Sequence, residues 1–295
     1  MKDADKGNRT AALGFETNGN TAGNSLAAAV SMRAPMGAKA KHRKEFLAKH
    51  PVCCFCGGVR PAEEPDHVPS RVLFDDRQWP EGFEFPACVK CNRATRHDEQ
   101  VVAMLSRIYP DPTTEKGRAE TYERIRAAAH NYPEILEEMR PTARQLRKAS
   151  EKYGLGESYA DLPALSVKGP RINAAIENVG RKLFCALYYM HTGQIVPPDG
   201  GVAIRWFTNV QIDADEIPRS LAPLLANFGK TERSRTKLDD QFFYRWVVPS
   251  DSKNVAAFLA FFRRSFALLG YVNCNAADFH KLGPDAKVVR PYVWE

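Results

Sequence analysis

The 295-residue chain reads as an α+β protein. Three observations predict that class. Apolar residues recur at helical spacing through the middle of the chain, at Val101, Val102, Leu105 and Ile108 and again at Ile172, Ile176, Val179, Leu183 and Leu187. Runs rich in β-branched and aromatic residues, "VAIRWFTNVQI" and "QFFYRWVV", collect in the last third. Two C-x-x-C pairs, Cys53/Cys56 and Cys88/Cys91, bracket the stretch "EPDHVPS" at 64–70.

The elements follow in order. Residues 1–37 are rich in Gly, Asn, Thr and Ala and poor in large apolar groups, so they predict a disordered arm. Residues 38–50 predict a short basic helix. From Asn92 the pattern turns helical, and Pro110 and Pro112 stop it. Thr114 caps a predicted helix through about His130, and another runs from about Pro133 to Lys152, ending near Gly154. A loop over 154–170 leads to the helix "RINAAIENVGRKLFCALYYMHTG", with Gly193 as its C-cap. The two β-rich runs predict strands, with a helix from Glu216 to Phe228 between them. "AAFLAFFRRSFALLGYVN" is apolar on every side, which suits a buried helix or two strands turning at Arg263-Arg264-Ser265; the hairpin is preferred. The predicted organisation is an arm at 1–37, a cysteine-clamped core at 38–110, a helical segment at 111–153 and an α+β region at 154–295.

Charge and cysteine usage bound the function. No run approaches the roughly 18–20 apolar residues of a membrane span, and the N-terminus lacks an apolar signal-peptide core, so a cytoplasmic protein is expected. The net charge is +7. Residues 1–52 carry nine Lys and Arg against four Asp and Glu; 53–110 carry seven against nine; 111–295 carry 26 against 22. The surplus just upstream of the cysteine pairs, in "KAKHRKEFLAKH", suits a phosphate backbone, and equally a solvated basic helix.

Seven cysteines, five of them between Cys53 and Cys91, point to metal rather than disulfides. A two-residue gap lets both sulfurs of a pair turn onto one ion, and four thiolates hold Zn²⁺ tetrahedrally at about 2.3 Å. Cys53, Cys56, Cys88 and Cys91 are the expected ligands, with Cys54 a spare small hydrophobe. A redox role is disfavoured because two copies of C-x-x-C occur without a thioredoxin-like βαβ pattern. A closed four-thiolate site leaves no open position, so the zinc is structural.

The residues "CCFCGG … EPDHVPSRVLF … FPACVKCNRATRHDEQ" resemble the HNH endonuclease family over about residues 50–108. That resemblance implies a ββα-metal core clamped at its base by the zinc. By likeness, His67 is the general base on the attacking water, Asp66 and Asn92 ligate a catalytic Mg²⁺ or Mn²⁺, and Arg93 or Arg96 grips phosphate. The implied activity is metal-dependent hydrolysis of DNA, with RNA left open, leaving a 5′-phosphate. The family's middle asparagine, which helps orient the histidine, is missing; Glu81, Phe83 and Glu84 stand in its neighbourhood. Another group must then fix His67, or the activity is altered or lost.

The chemistry is consistent by itself. A neutral imidazole accepts a proton at cellular pH, and one carboxylate plus an amide leaves a hard cation positions for phosphate and water. On a regular strand Asp66 and His67 would point to opposite faces, so the flanking Pro65 and Pro69 suggest an irregular hairpin that aims both usefully. Two alternatives remain: a catalytically inactive nucleic-acid-binding module, and a zinc-stapled protein-interaction scaffold. His67 could merely support the zinc knuckle, and Asn92 could be just a helix cap. "RSRTK" at 233–237 and "RRSF" at 263–266 read as solvated turns before nucleic-acid contacts. His97 reads as a surface residue in a charge network with Asp98 and Glu99.

Overall fold

A computed structural model describes residues 37–154, 156, 164–281 and 287–294. The arm over 1–36, the middle of the 154–170 loop and residues 282–286 lie outside the described residues. Ala38–Glu295 cluster as one compact unit. Its main core runs from Cys53 to Tyr292, so the segments 38–110, 111–153 and 154–295 share one interior.

The N-terminal part builds the cysteine-bearing unit. The basic helix α1 (Ala38–Lys49) forms as predicted and buries no residue. Strands β1 (Glu64–His67) and β2 (Glu84–Ala87) pair antiparallel, with Asp66 opposite Phe85 and His67 opposite Glu84. Their connection carries two 3-10 turns, Arg71–Leu73 and Asp75–Arg77. The following helix starts before Asn92. Cys88 caps α2 (Val89–Ala94), and a bend at Thr95 separates it from α3 (Arg96–Ser106). The order is therefore strand, strand, helix.

Thr114 caps α4 (Glu115–Asn131) through its hydroxyl, which accepts from the Gly117 amide. The predicted helix from Pro133 to Lys152 is two helices, α5 (Ile135–Glu138) and α6 (Ala143–Tyr153). Pro141 lacks the amide a continuous helix needs, and Thr142 with Gln145 forms a capping box that starts α6 afresh. Helix α7 (Pro170–Thr192) ends at Gly193, whose φ of 70° is the left-handed conformation glycine accepts without strain.

The C-terminal half forms a six-stranded antiparallel sheet with order β10-β3-β9-β8-β7-β4. Strand β3 (Gly201–Thr208) is shorter than the predicted run. Thr208 and Gln211 form a second capping box, which turns "NVQID" into α8 (Asn209–Asp213). The predicted helix from Glu216 to Phe228 is absent; Pro218 and Pro223 leave a single 3-10 turn at Arg219–Leu221, followed by β4 (Asn227–Phe228). A small hairpin follows, β5 (Glu232–Arg233) and β6 (Thr236–Lys237), and then β7 (Phe242–Val247). The ambiguous apolar run is the preferred hairpin: β8 (Val255–Phe262) and β9 (Phe266–Asn273) pair from Phe262 opposite Phe266 outward. Strand β10 (Lys287–Val289) closes the far edge.

Helix α7 is the centre of the packing. Its predicted stripe of Ile172, Ile176, Val179, Leu183 and Leu187 is buried, and so are Ala175, Lys182, Cys185 and Ala186 around it. The five aliphatic side chains contribute roughly 8–15 kcal/mol of burial free energy before ordering costs. One face lies on the sheet: Phe184 packs so closely over Gly270 that a Cβ there would sit 2.4 Å from the ring. Another side meets α3 and the β1–β2 hairpin. That sandwich carries Lys182 into the interior.

Candidate metal centre and hairpin face

Four thiols converge at the base of the hairpin. Cys53, Cys56, Cys88 and Cys91 are all buried, and their sulfurs lie within 4.8 Å of one another. Tetrahedral zinc at about 2.3 Å would separate them by about 3.8 Å, so the group can hold a metal ion such as zinc. None is in a disulfide. The first pair sits on a turn at Gly57, whose φ is 68° and whose α-carbon lies against Pro198. The second pair opens α2. Backbone amides of Phe55 and Cys91 donate to the sulfurs of Cys53 and Cys88. Trp294 Nε1 donates to Cys91 Sγ at 3.0 Å, and the Tyr292 amide donates to Phe55 O, so the C-terminal segment covers the site. Cys54 is buried beside the group without joining it, and burial holds its thiol protonated, well above the ordinary range.

The Asp-His step behaves as a regular strand dictates. All four residues of β1 pair with β2, so neighbouring side chains leave on opposite faces. This corrects the expected irregular hairpin. Asp66 turns inward and is 7% exposed. Its carboxylate lies 2.6 Å from Lys182 Nζ on α7. The same ammonium lies 3.1 Å from Glu99 and donates to the Thr95 hydroxyl at 2.9 Å and the Asn92 carbonyl at 3.3 Å. One buried cation therefore bridges the hairpin and the α2–α3 bend. Burial pushes the Asp66 carboxyl up to about 6 against the pull of Lys182. Glu99 is held below its usual range, because Lys182 and hydroxyl donors outweigh its burial. Burial also works against the Lys182 charge, but the two carboxylates overcome it and keep the ammonium protonated.

Asn92 is half-buried, and its side-chain amide donates to Glu64 Oε1 at 2.8 Å. Asp66 and Asn92 are thus brought to the same hairpin–helix junction, yet each is engaged by a protein partner. Arg93 and Arg96 are exposed on the helices, and neither guanidinium has a hydrogen bond or ion pair among the described residues. His97 is exposed and meets Tyr132 edge-on, while Asp98 takes Arg171, Tyr132 and Asn178.

His67 faces the other way. Arg71 Nη2 donates to its Nδ1 at 3.2 Å, and its Nε2 lies 3.1 Å from Glu84 Oε1. Trp79 packs edge-on against the ring at 4.6 Å. Glu84, opposite His67 on the paired strand, orients the imidazole. Its other oxygen meets His42 of α1 at 2.9 Å. Burial and the Arg71 charge pull the His67 pKa down to about 4, against Glu84. The imidazole is neutral at cellular pH; with Nδ1 accepting from Arg71, its hydrogen sits on Nε2 and faces Glu84.

Sequence reading missed Lys182, Trp79 and Trp294, and it named Glu84 and Glu99 without their partners. A signal existed for the first: a lysine inside an apolar helical stripe needs a buried anion. No family profile, curated protein or solved structure matches the chain. Among the described residues, no helix is long and apolar enough to cross a membrane.

Proposed function

We propose that the protein is a nucleic-acid-binding module on a zinc-stapled, HNH-like hairpin–helix frame, in which its own Lys182 fills the position a catalytic cation would take. The observation that carries this reading is the Asp66–Lys182–Glu99 cluster: Lys182 is 2% exposed and sits between both carboxylates. A divalent ion on Asp66 would have to break that pair, and stranding a buried charge costs about 3–5 kcal/mol. Zinc on the four thiolates is the structural ion of this reading. The basic, exposed α1 lies beside the hairpin, where Arg43 donates to Glu63 O at 2.5 Å, and supplies positive charge for a phosphate backbone. The seven free cysteines suit a reducing compartment such as the cytoplasm.

A second reading keeps the enzyme. An HNH-type endonuclease with His67 as base and Asp66 and Asn92 on Mg²⁺ or Mn²⁺ is favoured by an imidazole held neutral at cellular pH, and it requires Arg71 to release Nδ1 to the attacking water. Supercoiled plasmid separates the two. Retarded mobility without nicking, with or without Mg²⁺ or Mn²⁺, is the expected result. Metal-dependent nicking that disappears in His67→Ala overturns the binding-module reading in favour of the enzyme. Neither retardation nor nicking leaves the zinc-stapled scaffold and rejects both.

A further inference from the structure

The C-terminal half reaches back to the His67 face through the β5–β6 hairpin. Arg233 Nη1 donates to Trp79 O at 3.2 Å, the Glu81 amide to Glu232 O at 2.9 Å, and the Ser234 amide to Glu81 Oε1 at 2.9 Å. The Trp79 ring then receives two guanidiniums: Arg71 Cζ lies 4.1 Å and Arg233 Cζ 4.0 Å from its centroid. Both are held by π contact and by bonds to neutral acceptors, which fixes them without neutralising them.

Two further arginines flank this pair. Arg77 and Arg235 are exposed, and each occupies a left-handed turn, with φ of 57° and 69°. Their neighbours Asp76 and Ser234 are also left-handed, with φ of 50° and 46°. Non-glycine residues in this region cost about 1 kcal/mol or more each. Among the described residues, none of the four arginines has a carboxylate within ion-pair distance. Burial first, and then the positive charges of Arg77 and Arg233, lower the Arg71 pKa, against an opposing pull from Glu84. The acids nearby are occupied elsewhere: Glu84 by His42 and His67, Glu81 by Ser234, Glu232 by Lys230.

We infer that Arg71, Arg77, Arg233 and Arg235 form one binding face for nucleic-acid backbone phosphates, assembled from the β1–β2 connection and the β5–β6 hairpin. Two guanidiniums held in place, Arg71 and Arg233, with two exposed ones beside them in sequence and none of the four in an ion pair, are what a polyanion completes. The stretch "RSRTK", read from sequence as a solvated turn, then belongs to the binding surface. The inference rests on the nucleic-acid reading above and assigns a role to the C-terminal half.

The test uses zinc-loaded full-length protein and a fluorescein-labelled 20-base-pair duplex, with anisotropy recorded over a salt series. Each lost phosphate contact lowers the salt slope by about 0.9. Arg233→Ala/Arg235→Ala is expected to weaken binding about 10-fold or more at low salt and to reduce the slope by about 2. Arg71→Ala, on the other element, should act in the same direction. Arg147→Ala, exposed on α6, serves as the control and should change nothing. Near-UV circular dichroism and zinc content verify folding. Unchanged affinity and slope in folded Arg233→Ala/Arg235→Ala and in Arg71→Ala overturn the inference and leave the nucleic-acid reading intact. No binding by the wild-type protein to this duplex or to a 20-nucleotide RNA overturns both.

Discussion

Replacing Lys182 with methionine keeps the bulk of the side chain and removes its charge. Asp66 and Glu99 then face each other in the interior with no cation between them. Removing one partner of a buried ion pair costs about 3–5 kcal/mol, which for a domain of this size lowers Tm by roughly 6–20 °C. The pH dependence identifies the cause. In the wild type, burial already raises Asp66 to about 6, above its unfolded value, so its stabilising contribution is complete in acid and lost as pH rises towards 6. Without Lys182 the Asp66 carboxyl rises further. Glu99, which Lys182 helps hold low, rises as well. Each group with a raised folded pKa loses its contribution as pH increases. The deficit of Lys182→Met relative to wild type therefore grows from pH 5 to pH 8. Differential scanning calorimetry at both values reads this directly. An equal loss at the two pH values would point to packing rather than charge. No loss at either would refute the buried-cation assignment.

The remaining predictions concern the metal and the imidazole. Chelation, or Cys88→Ser, should release about one zinc per chain and lower Tm sharply, because the four thiols tie the hairpin base to α2. Trp294→Phe removes the N–H donor to Cys91 and should speed zinc loss to a chromogenic chelator by about 10-fold, the scale of outer-shell effects on metal sites; an unchanged rate would deny that the C-terminal segment guards the metal. His67 should titrate near pH 4 by ¹⁵N NMR. Its folded pKa is depressed, so its stability contribution is present above pH 6.5 and lost as pH falls towards 4. A titration at 6.5 or above would contradict the burial and Arg71 contact.

Local signals were readable where one residue type enforces one geometry. The paired cysteines announced their convergence, Thr114 its cap, Gly193 its left-handed turn, and the apolar stripe of α7 its burial. Signals failed where local chemistry cut across a longer pattern. Pro141 with the Thr142–Gln145 box divides a helix that apolar spacing had joined, and the Thr208–Gln211 box ends a strand early. Candidate residues on the hairpin were nameable, but their partners were not. Lys182 stands 116 positions beyond Asp66 in the chain, and only the packing of α7 across the hairpin brings them to 2.6 Å. Arg233 reaches Trp79 in the same non-local way. Alternation along β1 did warn that Asp66 and His67 part company; the flanking prolines argued the other way, and the ladder overrode them.

The central claim is that Lys182 occupies the cation position between hairpin and helix. Mn²⁺ titration of the zinc-loaded protein, followed by electron paramagnetic resonance, tests it most directly. The expected spectrum is that of free aqueous Mn²⁺ at every addition up to millimolar metal, in wild type and in Asn92→Ala alike. One Mn²⁺ bound per wild-type chain, and released by Asn92→Ala, would contradict it.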